Sequence, residues 1–270
     1  MVEKIIDTVN FLKDNGITKP EIGIILGTGL GKLVNNINIE SELEYEQIPN
    51  FPVSTVEFHK GKLIYGKMNG KQVLAMQGRF HFYEGYSMQE ITFPIRVMKA
   101  LGAEYLLISN AAGAMNLDYK KGSLMLIDDH INLLGDGPLI GPNHNNLGPR
   151  FPDMSQPYAN FLNEKLETIA KNQNITLHKG VYVAVAGPNL ETRAEYRFLR
   201  NTGADVVGMS TVPEVIVANH AGLPCAAISV LTDECDPDNL HPVEIKDILE
   251  TAAKAEVNLI KLFSELVKEL

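Results

Sequence analysis

The chain has 270 residues, 45 % of them hydrophobic and 21 % charged, enough for one large soluble domain with a substantial core. Its 33 acidic residues outnumber 24 basic ones for a net charge of −9, and no Lys/Arg run or stripe appears. That excludes a general binder of nucleic acid or anionic membrane. An anionic ligand must therefore be held by a few local cations and backbone amides against the overall field. Two cysteines, Cys225 and Cys235, without CxxC spacing fit a reducing compartment and no disulfide framework. The N-terminus has no signal-peptide h-region and no apolar run reaches membrane-spanning length, so a cytoplasmic protein is expected.

In chain order, Ile5, Val9 and Leu12 share a helical face, which predicts a helix over 4–13. A strand at 22–26 runs into Gly27-Thr28-Gly29-Leu30-Gly31, and strands at 62–67 and 72–76 lead to Gly78-Arg79-Phe80-His81. A helix at 88–101 starts on the capping box Ser87-x-x-Glu90 and stops at Gly102. A strand at 105–109 runs into Asn110-Ala111-Ala112-Gly113. The next, at 124–127, meets Asp128-Asp129-His130, read as a structural hydrogen-bonding corner. Residues 134–150, rich in glycine and proline, predict a long irregular loop. Beyond it come a helix at 156–171, a strand at 182–186 running into Gly187-Pro188-Asn189-Leu190-Glu191, and a helix at 192–201. A strand at 205–207 runs into Gly208-Met209-Ser210-Thr211, with a helix at 213–221 behind the box Thr211-x-x-Glu214. A strand at 225–231 runs into Thr232-Asp233-Glu234, and a helix at 243–268 closes the chain. Alternating strands and helices predict an α/β fold, one domain over 1–270 with a mostly parallel, mixed central β-sheet flanked by helices.

Ligands of open α/β sheets bind beyond the carboxyl ends of the strands. One polar or glycine-rich cluster there is ordinary turn chemistry; six in one chain point to a composite site. The richest segment is 77–85, Gln-Gly-Arg-Phe-His-Phe-Tyr-Glu-Gly. If extended, it sets Arg79, His81 and Tyr83 on one face and Phe80 and Phe82 on the other. That face carries a guanidinium, an imidazole and a phenol, which suits an anion with a hydroxylated neighbour.

Several other chemistries are disfavoured. Lys32 stands where a dinucleotide fingerprint needs glycine, and no Walker loop follows, so Gly27–Gly31 is an anion loop with the Thr28 hydroxyl or a tight turn. Met209-Ser210 lacks the final glycine of a nucleophile elbow, since position 212 is Val212, so Ser210 reads as a hydrogen-bond donor or helix-entry residue. His81-x-x-Glu84 has no further ligands around it, and no metal is expected.

Long motifs in one order carry a resemblance. They are 48–55, Ile-Pro-Asn-Phe-Pro-Val-Ser-Thr, leading to His59; 77–85; Thr92-Phe93-Pro94; Asn110-Ala111-Ala112-Gly113; Asp129-His130-Ile131-Asn132; Ala186 through Glu191; and 208–217, Gly-Met-Ser-Thr-Val-Pro-Glu-Val-Ile-Val. From about residue 22 to 231 the chain resembles the trimeric purine nucleoside phosphorylase family. The resemblance implies a phosphorylase/hydrolase-like fold and a pentosyltransferase of purine salvage. Such an enzyme reversibly phosphorolyses purine (deoxy)ribonucleosides, inosine and guanosine favoured, to free base and (deoxy)ribose 1-phosphate. Inorganic phosphate is then the co-substrate, with no cofactor, and the assembly a homotrimer.

By the same resemblance Thr28, Arg79, His81, Ser210 and the Ala111 amide cradle phosphate, with His59 over phosphate and ribose. Tyr83 and Met209 hold the sugar, and Phe151 reaches the ribose site of a neighbouring subunit. Ala112, Gly113, Leu190, Glu191, Val207 and Asp233 line the base, and His81, Glu191 and Asp233 are the catalytic groups. Many relatives carry Ser at position 28 and Phe at position 190. Two departures matter more. Asp233 stands where 6-oxopurine members usually place Asn, and Ile245, with His241 nearby, occupies the segment where relatives often carry a histidine for the 5′-hydroxyl. A methylthioadenosine or adenosine phosphorylase, favoured by Asp233 and disfavoured by Glu191, is one alternative. A purine-nucleoside-binding protein without catalysis is the other, against which the Arg79, His81 and Ser210 set argues.

Overall fold

A computed structural model describes residues 1–55 and 60–270. α1 (Val2–Asp14) buries the Ile5, Val9 and Leu12 stripe. β1 (Ile22–Leu26) is buried at every position. β2 (Asn38–Glu44) precedes the hairpin of β3 (Lys62–Met68) and β4 (Lys71–Gln77), which turns on Asn69 and Gly70, both at positive φ as a two-residue hairpin turn requires. α2 (Met88–Ile91) and α3 (Phe93–Leu101) lead to β5 (Tyr105–Ala114) and β6 (Leu124–Leu133). α4 (Asn160–Asn172), β7 (Leu177–Val185), α5 (Arg193–Asn201), β8 (Val206–Gly208), α6 (Val212–His220), β9 (Cys225–Glu234) and α7 (Ile245–Glu269) complete the described elements.

Among the described residues the strands form one sheet in the order β2-β3-β4-β1-β5-β8-β7-β6-β9, and a further β5–β9 pairing turns its last five strands back on themselves. Five of the nine pairings are parallel, which is the mixed, mostly parallel sheet the alternation predicts. The period of two in β1 divides the core. Ile22, Ile24 and Leu26 pack with α4 and α7, while Ile25 packs with α1, α3 and α6. Each fully buried large apolar side chain, such as Phe263 of α7, contributes about 1.5–3 kcal/mol.

Four local expectations are corrected. β2, Asn-Ile-Glu-Ser-Glu-Leu-Glu, is an additional edge strand paired antiparallel with β3. Its acidic residues suit an exposed edge and hide the apolar signal of a strand, and Lys62 of β3 pairs with Glu42 and Glu44. The helix at 88–101 breaks at Thr92, whose hydroxyl donates to the Met88 carbonyl at 2.8 Å, and Pro94 then opens α3. Asp128-Asp129-His130 lies inside β6, at a register slip between Ile127 and Asp129, so the corner is a β-bulge. Its role is structural: Asp128 pairs with Lys179 at 3.2 Å and the His130 ring meets the Tyr158 hydroxyl at 3.1 Å. Finally, β4 stops at Gln77, so 77–85 is not an extended strand. The irregular loop is present and runs without helix or strand from 134 to 159.

Two close approaches bring the strand ends together. A Cβ at Gly27 would lie 2.8 Å from the Asn110 Cα and the Ser109 carbonyl, so only glycine lets the loop after β1 rest on β5. Behind that loop, α7 buries Glu256 completely, and its carboxylate accepts from the Lys32 amide at 2.6 Å and from the Leu33 amide. Burial raises the Glu256 carboxyl above its usual range, and these backbone bonds oppose the rise. Glu256→Ala orphans both amides and should lower unfolding stability by about 1–3 kcal/mol in urea melts. An unchanged midpoint would show that the carboxylate does not hold the loop.

Candidate active site

The residues after β4, 78–84, turn sharply rather than alternate. Phe80 is buried in the core beside Tyr45, 5.1 Å between ring centroids, and 82–84 form a single 3₁₀ turn. Arg79, His81 and Tyr83 nevertheless line one cavity of about 310 Å³, so their convergence comes from the turn and not from strand alternation.

Arg79, only 2 % exposed, is the centre of a buried polar network. Its Nη1 donates to the hydroxyls of Ser210 and Thr211, each at 2.9 Å, and Nη2 donates to the Ser109 carbonyl. Glu214, equally buried on the first turn of α6, lies 3.5 Å from Nη1. Thr211 takes φ +69° and ψ −52°, with the Val212 amide donating back to the Ser210 carbonyl at 2.7 Å. This is a γ-turn of the rare positive-φ kind, costly for a β-branched residue. Arg79 and Asn110, whose amide donates to Thr211 Oγ1 at 2.9 Å, hold it in place. The turn delivers Ser210 to the cavity, and the Ser210 amide is itself tied to the Tyr182 hydroxyl at 3.2 Å.

His81 stands on a second device. Its Nδ1 is 3.1 Å from Glu84 Oε1, which also accepts the His81 amide at 2.7 Å. Glu84 Oε2 accepts both the amide and the hydroxyl of Thr55, at 2.9 and 2.6 Å. Burial pushes the Glu84 carboxyl upward, but the donors from His81 and Thr55 outweigh it and hold the group at about 2. Burial lowers the His81 imidazole below its ordinary value, against the pull of Glu84. The ring therefore acts as a neutral donor, its Nδ1–H directed at Glu84, and it stacks on Tyr83 at 4.7 Å and 13°.

The other end of the cavity carries carboxylates. Burial raises the Glu191 carboxyl, with nearby Asp233 adding to the rise and a hydrogen bond from Tyr196 opposing it. Asp233 Oδ1 accepts from the Thr232 hydroxyl at 2.9 Å, and Oδ2 accepts from the Cys235 thiol at 3.1 Å. Thr28, Ala111, Ala112, Gly113, Leu190, Glu191, Val207, Met209, Ser210 and Asp233 all line the same cavity as Arg79, His81 and Tyr83. All six strand-end clusters thus contribute.

His59 falls outside the described residues. Phe151, 87 % exposed, sits apart from this cavity on the irregular loop, 5.9 Å beneath the Arg150 guanidinium. Sequence reasoning missed Glu214 and Thr211 as partners of Arg79, although both stood in the capping pattern before α6. It also missed Tyr196, which read only as part of an amphipathic helix. Ile245 and Ile248 of α7 line the cavity as well, so this segment presents an apolar wall, and His241 is exposed outside it. Among the described residues no group of three or more His, Cys, Asp and Glu is placed to hold a metal ion. No described helix is long and apolar enough to cross a membrane.

Residues 21–268 match the family description Phosphorylase superfamily. Purine nucleoside phosphorylase 1 of Bacillus subtilis (strain 168) is 51 % identical over 269 residues, covering 100 % of this chain and 99 % of the relative. Purine nucleoside phosphorylase of Bos taurus is 43 % identical over 271 residues, covering 98 % and 94 %. The crystal structure of Schistosoma mansoni purine nucleoside phosphorylase in complex with adenosine superposes with a TM-score of 0.94 at 39 % identity, covering 100 % of this chain and 98 % of that one. A schistosoma purine nucleoside phosphorylase in complex with hypoxanthine gives 0.93 at 39 % identity, again over 100 % and 98 %. Identity at this level over the whole length, on the same fold, shows that the chain belongs to the phosphorylase superfamily and, within it, to the purine nucleoside phosphorylases.

Proposed function

We propose that residues 1–270 form one nucleoside phosphorylase domain that reversibly cleaves purine (deoxy)ribonucleosides with inorganic phosphate, releasing free base and (deoxy)ribose 1-phosphate. The observation that carries this reading is the polarity of the cavity, which has a guanidinium and hydroxyls at one end and two carboxylates at the other. Breaking a glycosidic bond builds positive charge on the sugar and negative charge on the departing purine. A phosphate dianion held by Arg79, Ser210, Thr28, His81 and the Ala111 amide stabilises the first. A hydrogen-bond donor at the purine N7 is what the second requires, while Glu191 holds the base by accepting from N1–H of a 6-oxopurine. His81, its Nδ1–H committed to Glu84, presents Nε2 as an acceptor to a phosphate P–OH or a sugar hydroxyl, while Tyr83 and Met209 flank the sugar. No step calls for a redox cofactor or a covalent enzyme intermediate.

In this reading the enzyme is a cytoplasmic homotrimer. Phe151, exposed on its loop, closes the ribose site of a neighbouring subunit. His59 is assigned to the phosphate and ribose side by resemblance alone. 6-Oxopurine nucleosides are the favoured substrates, with 6-aminopurine nucleosides also cleaved because Asp233 offers acceptors.

Base release from inosine should require phosphate and yield ribose 1-phosphate; phosphate-independent release would contradict the reaction. Arg79→Ala alone orphans the buried Glu214, so the cleaner variant is Arg79→Ala with Glu214→Gln. It should raise the phosphate KM about tenfold or more and change the nucleoside KM far less, since charge-assisted hydrogen bonds contribute about 1.5–3 kcal/mol. Equal phosphate KM in variant and wild type would remove Arg79 from the cradle.

Phe151→Ala should raise the nucleoside KM while light scattering still reports a trimer. A fully active monomer would contradict the shared site.

A further inference from the structure

Asp233 lies in the cavity at the end of β9, and its surroundings differ from those of an isolated pocket carboxylate. Thr232 and Cys235, 2 % and 1 % exposed, each direct a donor at it, one to each oxygen. Three constraints hold the thiol. The Cys235 amide donates to the Ala114 carbonyl at 2.7 Å, which fixes the backbone against the end of β5. The sulfur then lies in the space left by Gly113, where a Cβ would be 2.5 Å from Sγ and 3.0 Å from Asp233 Oδ2. On its other side Cys235 faces the Tyr196 hydroxyl, which also faces Glu191. Glu191, Tyr196, Cys235 and Asp233 thus stand in one row between the two pocket carboxylates.

Building on the proposed function, we propose that Cys235 is a positioning residue for base choice: its thiol, seated by Gly113 and Tyr196, holds Asp233 as a hydrogen-bond acceptor, and so admits a 6-aminopurine beside the 6-oxopurines. A carboxylate whose oxygens each already receive one donor keeps a lone pair on each for the substrate and has no proton to give. It welcomes the amino group of a 6-aminopurine and opposes the oxygen of a 6-oxopurine. Burial strongly raises the Cys235 thiol, Asp233 adding to the rise, so the group stays an S–H donor and does not become a competing anion. Tyr196 has a single hydroxyl proton; whether it goes to Glu191 or to the sulfur, the thiol proton is left for Asp233.

The test is the ratio of kcat/KM for adenosine to that for inosine, measured in phosphate. Cys235→Ala should lower the ratio about three- to tenfold, the range for loss of one modest hydrogen bond. Cys235→Ser, which keeps a donor of similar length, should restore it to within about twofold of wild type. A merely structural role for the thiol would shift both substrates together and leave the ratio in place, and that result overturns the proposal. If Cys235→Ala fails to fold, Cys235→Val fills the same space without a donor, and the Ser and Val variants carry the same comparison. Wild type that cleaves inosine but not adenosine overturns this inference and leaves the phosphorolysis reading intact. Wild type that cleaves neither contradicts that reading itself.

Discussion

The buried Arg79 guanidinium is the interaction on which the site depends. It bonds to the Ser109 carbonyl of β5, to the hydroxyls of Ser210 and Thr211 and, through its charge, to Glu214 of α6. It therefore joins the end of β4 to a parallel neighbour of β1 and to the start of a helix. A charge removed from water at such depth is tolerated only with a partner and with its donors used, and losing one member of such a pair costs about 3–5 kcal/mol. The strained turn at Thr211 persists for the same reason: Arg79 and Asn110 both require its hydroxyl where the turn places it. Strain, ion pair and proposed anion site are one structure.

The sheet supplies the frame. Parallel pairing of β4, β1 and β5 brings their carboxyl ends to one side, and the return of β8, β7, β6 and β9 onto β5 carries Met209, Glu191 and Asp233 to the same place. The antiparallel β5–β8 pair still contributes because Gly113 faces Val207 at the end of β5. α7 closes one wall with Ile245 and Ile248, and its Glu256 holds the glycine loop that carries Thr28.

What was legible in the sequence was local chemistry at strand ends. Thr28, Arg79, Ser210, Glu191 and Asp233 stand in short clusters after apolar runs, and all of them meet in one cavity. The route was not always legible. Residues 77–85 alternate polar and aromatic side chains as a strand would, yet Gly78 takes φ +113° and Glu84 draws the His81 amide and ring into a turn. β2 escaped because edge protection replaces its apolar positions with glutamates. Tyr196 and Cys235 escaped because their meaning depends on each other: one is a residue of an amphipathic helix, the other a lone thiol past a strand, and only tertiary packing brings Tyr196 beside the thiol.

The central claim is that one cavity has a phosphate end at Arg79 and a base end at Asp233. A crystal structure with phosphate and hypoxanthine bound together tests it most directly. The account predicts phosphate oxygens within hydrogen-bond reach of Arg79, Ser210 and the Ala111 amide, with the purine ring against Glu191 and Asp233. Phosphate bound away from Arg79, or a base seated among Thr28, Arg79 and Ser210, would contradict it.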